Sequence, residues 1–290
     1  MKKHTYRNRP HPSRMPLLAS LLFFAFSLSV AAQPPMATKQ QIGMFKNSTT
    51  CIVLEQGSVA YNVFIKDAVK EHWSVTDYEF IDHKTFEERR SDSRYSFLVL
   101  MKGVYKKDPM GVSYDFMSLV LGGYAAEVDD MPELGSLPIS YTGDEEPDYG
   151  YAIPAMVQFL QRHVRVLENK RLCIKVAGLK HYNHFKKFRG KALLLNEEMM
   201  APDAETLFKV RDVYPNYVEM LSSGEIRQEL KEDPDYKLFL YHVGPGASTA
   251  AGKSFEMIFD AKGHLYYYNS RDVTNEKKDG FTRKDLRRIR

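Results

Sequence analysis

Few residues in this 290-residue chain are spaced for chemistry. Ala247-Ser-Thr-Ala-Ala-Gly-Lys-Ser254 fits a relaxed phosphate-loop pattern, with alanine in place of the first glycine. Such a loop must wrap a phosphate with its amides and open a helix whose positive end faces that charge. The residues that follow, Phe255-Glu-Met-Ile-Phe259, read instead as a strand, so a glycine-containing hairpin loop is the expected form. His181 and His184 lie about one helical turn apart, a spacing that can hold a metal, but zinc needs at least a third ligand. Their neighbours are Lys180, Lys186, Lys187 and Arg189, with no carboxylate before Glu197.

Asp129, Asp130, Asp144, Glu145, Glu146 and Asp148, with Glu133 nearby, form an acidic stretch with enough oxygen ligands for calcium. It lacks the alternating spacing and central glycine of a dedicated calcium loop. Cys51 and Cys173 both sit in β-like runs and are the candidate disulfide; a bridge between them would close a long loop. No serine lies in a nucleophile elbow, and neither cysteine has neighbours that would lower its pKa. Tyr241, His264, Tyr266, Tyr267 and Tyr268 crowd one hairpin. Aromatic rings with polar tips suit binding faces, and equally suit packing within strands.

The elements that position these residues show a repeated pattern. At a constant offset of 141, Tyr95 matches Tyr236, Gly103 matches Gly244, Gly111 matches Gly252, Ser113 matches Ser254 and Gly122 matches Gly263. Glycines bounding apolar runs reflect backbone requirements, so the reading is a tandem duplication. Each copy has the pattern βαβαββ. In the first, strands are expected at 50–55, 78–81, 95–101 and 112–121, with helices near 59–68 and 83–92. In the second, strands fall at 192–195, 217–221 and along the hairpin 236–259, after which the Ala-Lys-Gly turn at 261–263 leads into 265–269, with helices at 203–213 and 224–231. Strand-helix-strand units predict right-handed crossovers and parallel pairing, and the short connection after the third strand predicts an antiparallel return. The fold class is therefore α/β, as two mixed, mostly parallel sheets with flanking helices.

Ile153, Val157, Leu160, Val164 and Leu167 mark an amphipathic helix opened by Pro154, expected to pack across both units. It lies at a charge reversal. Residues 108–161 hold ten Asp and Glu and no Lys or Arg, whereas 162–191 hold ten Lys and Arg and one Glu. The expected organisation is a signal at 1–32, a flexible lead-in at 33–48, a first unit at 49–150 with its acidic loop, a helical and basic connector at 151–190, and a second unit at 191–290. The chain closes in a short basic helix at 282–290, on which only Leu286 and Ile289 are placed to bury.

The first 32 residues read as an export signal, with Lys2, Lys3, Arg7, Arg9 and Arg14 before an apolar run at 17–30 and small residues at Val30-Ala31-Ala32. The leader holds five of the 41 Lys and Arg and none of the 37 Asp and Glu. Removing it moves the formal charge from +4 to −1, which argues against a nucleic-acid partner. The expectation is an exported, periplasmic or secreted protein without cofactor that binds an envelope protein or an extracellular polymer and performs no chemistry of its own. One alternative is a hydrolase of cell-wall or glycan material using Asp115 and Glu256, which match between the copies. Another is a component of an envelope assembly held through the C-terminal helix.

Overall fold

The computed structural model describes residues 34–290 except 105–112, 124, 126, 143–147, 185–187 and 247–251. The signal at 1–32, most of the phosphate-loop match, and Asp144, Glu145 and Glu146 fall outside the described residues.

Two five-stranded sheets of the same topology carry the fold. In the first, β1 (Thr49–Val53), β2 (Asp77–Ile81), β3 (Tyr95–Val104), β4 (Ser113–Leu121) and β5 (Glu133–Tyr141) lie in the order β2-β1-β3-β4-β5. In the second, β6 (Ala192–Asn196), β7 (Val218–Leu221), β8 (Lys237–Val243), β9 (Gly252–Asp260) and β10 (Leu265–Val273) lie in the order β10-β9-β8-β6-β7. The two orders are the same read from opposite ends. In each half the first three strands pair in parallel and the last two return antiparallel. The crossovers use α2 (Val59–His72) and α3 (His83–Arg89) in one half, and α5 (Leu207–Arg211) and α6 (Ser223–Glu232) in the other. Ser222 caps α6 in a reciprocal capping box with Glu225, which fixes where β7 ends and the helix begins.

Each half thus has a fifth strand, which in the second half is the stretch from Leu265 expected after the 261–263 turn and in the first half has no counterpart in the expected pattern. β5 lies inside the stretch expected to be the acidic loop of the first unit. It is buried along nearly its whole length, so no alternation marks it, and Pro138 sits opposite Phe116 at a bulge on the edge strand, where proline is tolerated. The lead-in is also ordered. Thr38 and Gln41 form a capping box that starts α1 (Lys39–Phe45), Ile42 and Phe45 bury fully, and Ala37 N–H donates to Glu133 O on β5.

α4 (Ile153–Ala177) is longer than its apolar pattern suggested and carries a kink at Lys170. It packs on α2 and β5 of the first half. Phe159 meets Phe259 of β9 at 5.9 Å between ring centres, and Gln158 Nε2 donates to Ala261 O. A single apolar core containing α4 residues reaches Ile52 and Leu98 on one sheet and Phe239, Met257 and Phe259 on the other. The strut expected from the heptad-like spacing is therefore the central layer of the molecule. On their other faces, the first sheet is covered by Phe86 of α3, and the second by Val210 of α5 and by Leu286 and Ile289 of α7 (Arg283–Ile289). Leu286 and Ile289 are 0% exposed, so α7 is part of its own half's core. Among the described residues no helix is long and apolar enough to cross a membrane.

Candidate functional site

The site is built from the turn between β9 and β10. Asp260, at the end of β9, accepts main-chain N–H bonds from Lys262 at 3.0 Å and from His264 at 2.9 Å through Oδ1. This is the turn-stabilising use of an aspartate side chain. Its other oxygen, Oδ2, lies 2.8 Å from His264 Nδ1 and accepts the Tyr266 hydroxyl at 3.3 Å. Beyond the turn the β9–β10 register slips between Leu265 and Tyr267: Leu265 pairs with Phe259 and Tyr267 with Ile258, leaving Tyr266 unopposed. A bulge re-aims the extra side chain. Leu265 buries in the central core and Tyr267 in the outer one, while Tyr266, only half-buried, packs edge to face with Phe188 of the outer core and also lines the groove.

The opposite wall comes from α4 and the segment after it. Arg162 Nε donates to Lys262 O at 2.9 Å, so the helix grips the turn directly. Tyr182, in a short 3-10 turn at 178–182, is fixed by His163 Nδ1 at 2.6 Å and by an edge contact with Phe159. Burial holds His163 down at about 4, with His181 adding to the effect, so the ring is neutral at pH 7. The next residues seal the outer edge of β10. Asn183 accepts from Tyr268 N–H at 2.7 Å and donates to Tyr268 O at 3.0 Å, and His184 N–H donates to Tyr266 O.

Between these walls lies a groove of about 710 Å³, within the range of ligand sites. Among the described residues its permanent charges are Arg162, Arg165, Lys191 and Lys262 against Asp235 and Asp260. Lys191 Nζ donates to Asp235 O and lies 5.8 Å from the centre of the Tyr266 ring. Lys262 pairs with Asp235, and that hydrogen bond and charge lower the Asp235 carboxyl and raise the Lys262 amine. Arg165 is exposed. Tyr236 is 65% exposed and lines the same groove. Burial pushes the Tyr266 hydroxyl up to about 12, with Asp260 adding to the effect, so it stays a donor.

The five clustered hairpin candidates therefore separate. His264 and Tyr266 line the groove. Tyr241 and Tyr267 are core residues, 2% and 1% exposed, and Tyr268 packs against the central core with its main chain taken by Asn183. Sequence patterning missed Arg162, Arg165 and Lys191, which lie far from the hairpin in the chain, with the basic block after Gln161 as the available signal; it also passed over Tyr236 as a site residue although it opens the hairpin.

Cys51 and Cys173 are both free. Cys51 is buried in β1, but Cys173 belongs to α4, not a strand, and faces outward. Among the described residues no group of three or more His, Cys, Asp or Glu is placed to hold a metal. Asp130 accepts from Glu127 N–H at a short 3-10 turn that includes Asp129, and Asp148 pairs with Arg227.

Comparison with protein-family models, curated proteins and solved structures finds no match to this chain.

A second polar cluster lies on the outer face of β8 to β10. His242 Nε2 is 2.9 Å from Asp279 Oδ1 and 3.1 Å from Ser254 Oγ, and Ser254 Oγ donates to Glu256 Oε1 at 2.8 Å. The residue types are those of a hydrolytic triad; the arrangement is not. A relay needs the carboxylate on one ring nitrogen and the hydroxyl on the other. Here a single nitrogen serves both, the serine proton is committed to Glu256, and Ser254 is 0% exposed. Arg271 Nε donates to Glu256 Oε1 and its Nη2 to Gly280 O, tying the loop before α7 to the sheet. Gly244 completes the fit, since a Cβ there would sit 2.2 Å from Asp279 Oδ2. Asp115 has other partners, Lys102 and Ser140, and shares none with Glu256 among the described residues.

Proposed function

We propose that this chain is an exported, non-catalytic binding protein that holds an anionic ligand, an extracellular polymer or a partner's acidic surface, in the groove beside the β9–β10 turn. The observation that carries this reading is the convergence of Arg162, Arg165, Lys191 and Lys262 with the Tyr236 and Tyr266 rings on one concavity. Fixed cations beside aromatic faces attract and orient anionic groups. Among the described residues the groove holds no nucleophile paired with a base, and the Ser-His-Asp set of β8, β9 and Asp279 is buried elsewhere as a structural clasp. The leader at 1–32 supports export.

The test is calorimetric titration of the protein lacking residues 1–32 with polygalacturonate, polyglutamate and inorganic polyphosphate at low salt. At least one should bind, with affinity that falls as salt rises, and the charge reversals Arg165→Glu and Lys191→Glu should abolish it. Absence of binding to all three, or binding indifferent to both reversals, overturns the reading.

A further inference from the structure

We infer that the groove's ligand is an acidic saccharide, a sugar chain carrying carboxylates; this rests on the anionic-ligand reading and narrows it. Three features favour sugar. First, the wall is chemically mixed. Asp260 and Asp235 stand among the cations, and a uniformly anionic ligand such as polyphosphate would meet two carboxylates. A sugar brings hydroxyl donors to Asp235 and its own carboxylate to Arg165, whose planar fork matches a carboxylate in two-pronged fashion, while the Asp260 oxygens stay engaged within the turn.

Second, the Tyr236 and Tyr266 rings line the groove, and the bulge in β10 places Tyr266 there. Flat apolar faces with polar tips suit the stacked C–H face and hydroxyl rim of a pyranose ring. Third, the β10 edge beside the groove is closed. Main-chain groups of Tyr266 and Tyr268 already bond to His184 and Asn183, so an acidic peptide cannot dock there by adding a strand.

The experiment compares polygalacturonate, neutral dextran and polyglutamate by calorimetry against the protein lacking residues 1–32 and against variants at exposed Arg165 and half-buried Lys191, Arg165→Gln and Lys191→Met, with Tyr266→Ala as a third. Circular dichroism and thermal melting confirm that each is folded. Polygalacturonate should bind, dextran and polyglutamate should not, and Arg165→Gln should weaken binding about tenfold or more, the loss expected for a charge-assisted hydrogen bond. Polyglutamate binding as well as or better than polygalacturonate overturns the saccharide assignment and leaves the anionic groove standing. Dextran binding equally well overturns both; no binding by any of the three overturns the saccharide assignment, and the anionic groove falls with it if polyphosphate also fails to bind. Since Arg165 lies at the surface, its loss tests the ligand without depending on a variant that unfolds.

Discussion

The hydroxyl of Tyr241 on β8 donates to the main-chain carbonyl of Ile139 on β5, tying the second sheet to the first across the central core. Tyr114 and Phe255 meet edge to face nearby, and Lys253 N–H donates to the Tyr114 hydroxyl. Tyr241→Phe removes one donor and leaves a buried carbonyl short of a partner, a cost of about 1 to 3 kcal/mol. The melting temperature should drop by roughly 2 to 4 °C for each kcal/mol. Polygalacturonate affinity should stay unchanged, because Tyr241 is remote in role from the groove. A variant that melts normally but loses ligand would show that the tyrosine had been assigned to the wrong place.

That outcome bears on how much of the site was legible in the sequence. The succession of strands and helices, and the parallel then antiparallel pairing, follow from local patterning, because helical and strand periodicities alternate in both halves and short connections force antiparallel returns. β5 was hidden by its burial on both faces and by Pro138, which removes the alternation that pattern reading depends on. Cys173 was misplaced because Leu-Cys-Ile-Lys-Val is β-branched and short, whereas α4 carries it as the last turns of a long helix packed earlier along its length. Within Tyr266-Tyr-Tyr268, no one-dimensional rule separates the three rings. A one-residue bulge leaves Tyr266 without a partner on β9, and a bulge is set by long-range pairing between strands.

Stability should fall as pH rises through the range in which Glu256 titrates. Burial, with Asp285 adding to it, pushes the Glu256 carboxyl up from 4.5 to about 7, and its Oε2 has no hydrogen-bond partner. In the unfolded chain the group ionises near 4.5, but in the fold it resists ionisation until about 7. The penalty is absent below 4.5, grows between the two values and levels off above, at no more than roughly 3 kcal/mol. His242 acts in the same direction at higher pH. Burial alone would lower it, but the Asp279 charge raises it, so its contribution is complete below 6.5 and is lost as pH rises through the folded value. Melting temperatures measured from pH 4.5 to 8 should decline, and Glu256→Gln should flatten the part below pH 7. A wild-type profile that rises over this range contradicts the assignment.

The two cysteines should differ sharply in reactivity. Cys51 is 0% exposed and burial, reinforced by Glu79, pushes its thiol up to about 12. Cys173 stands on the outer face of α4. A chromogenic thiol reagent should titrate one group per native chain at pH 7.5 and a second only in denaturant. Reductant should leave the melting temperature unchanged, since no bridge joins them. Slow reaction of both thiols in the native state would mean that the C-terminal turns of α4 are covered.

Gly263 links the fold to the site most directly. It adopts φ +71°, and a Cβ there would lie 2.6 Å from Ala155 O and from Gln158 Cβ on α4. Gly263→Ala therefore meets both a disfavoured backbone conformation and a main-chain clash, and either the turn or the helix must move. The neighbours on each side, Lys262 and His264, line the groove, and Arg162 reaches Lys262 O across the same contact. The substitution should lower stability by about 1 to 3 kcal/mol, as strain at such a position does. It should also weaken polygalacturonate binding more than its stability cost explains, because it shifts two wall residues together. Calorimetry well below the melting transition separates the two effects. If Gly263→Ala melts earlier yet binds with native affinity, the turn is only a packing element and the groove's recognition residues lie on the α4 side.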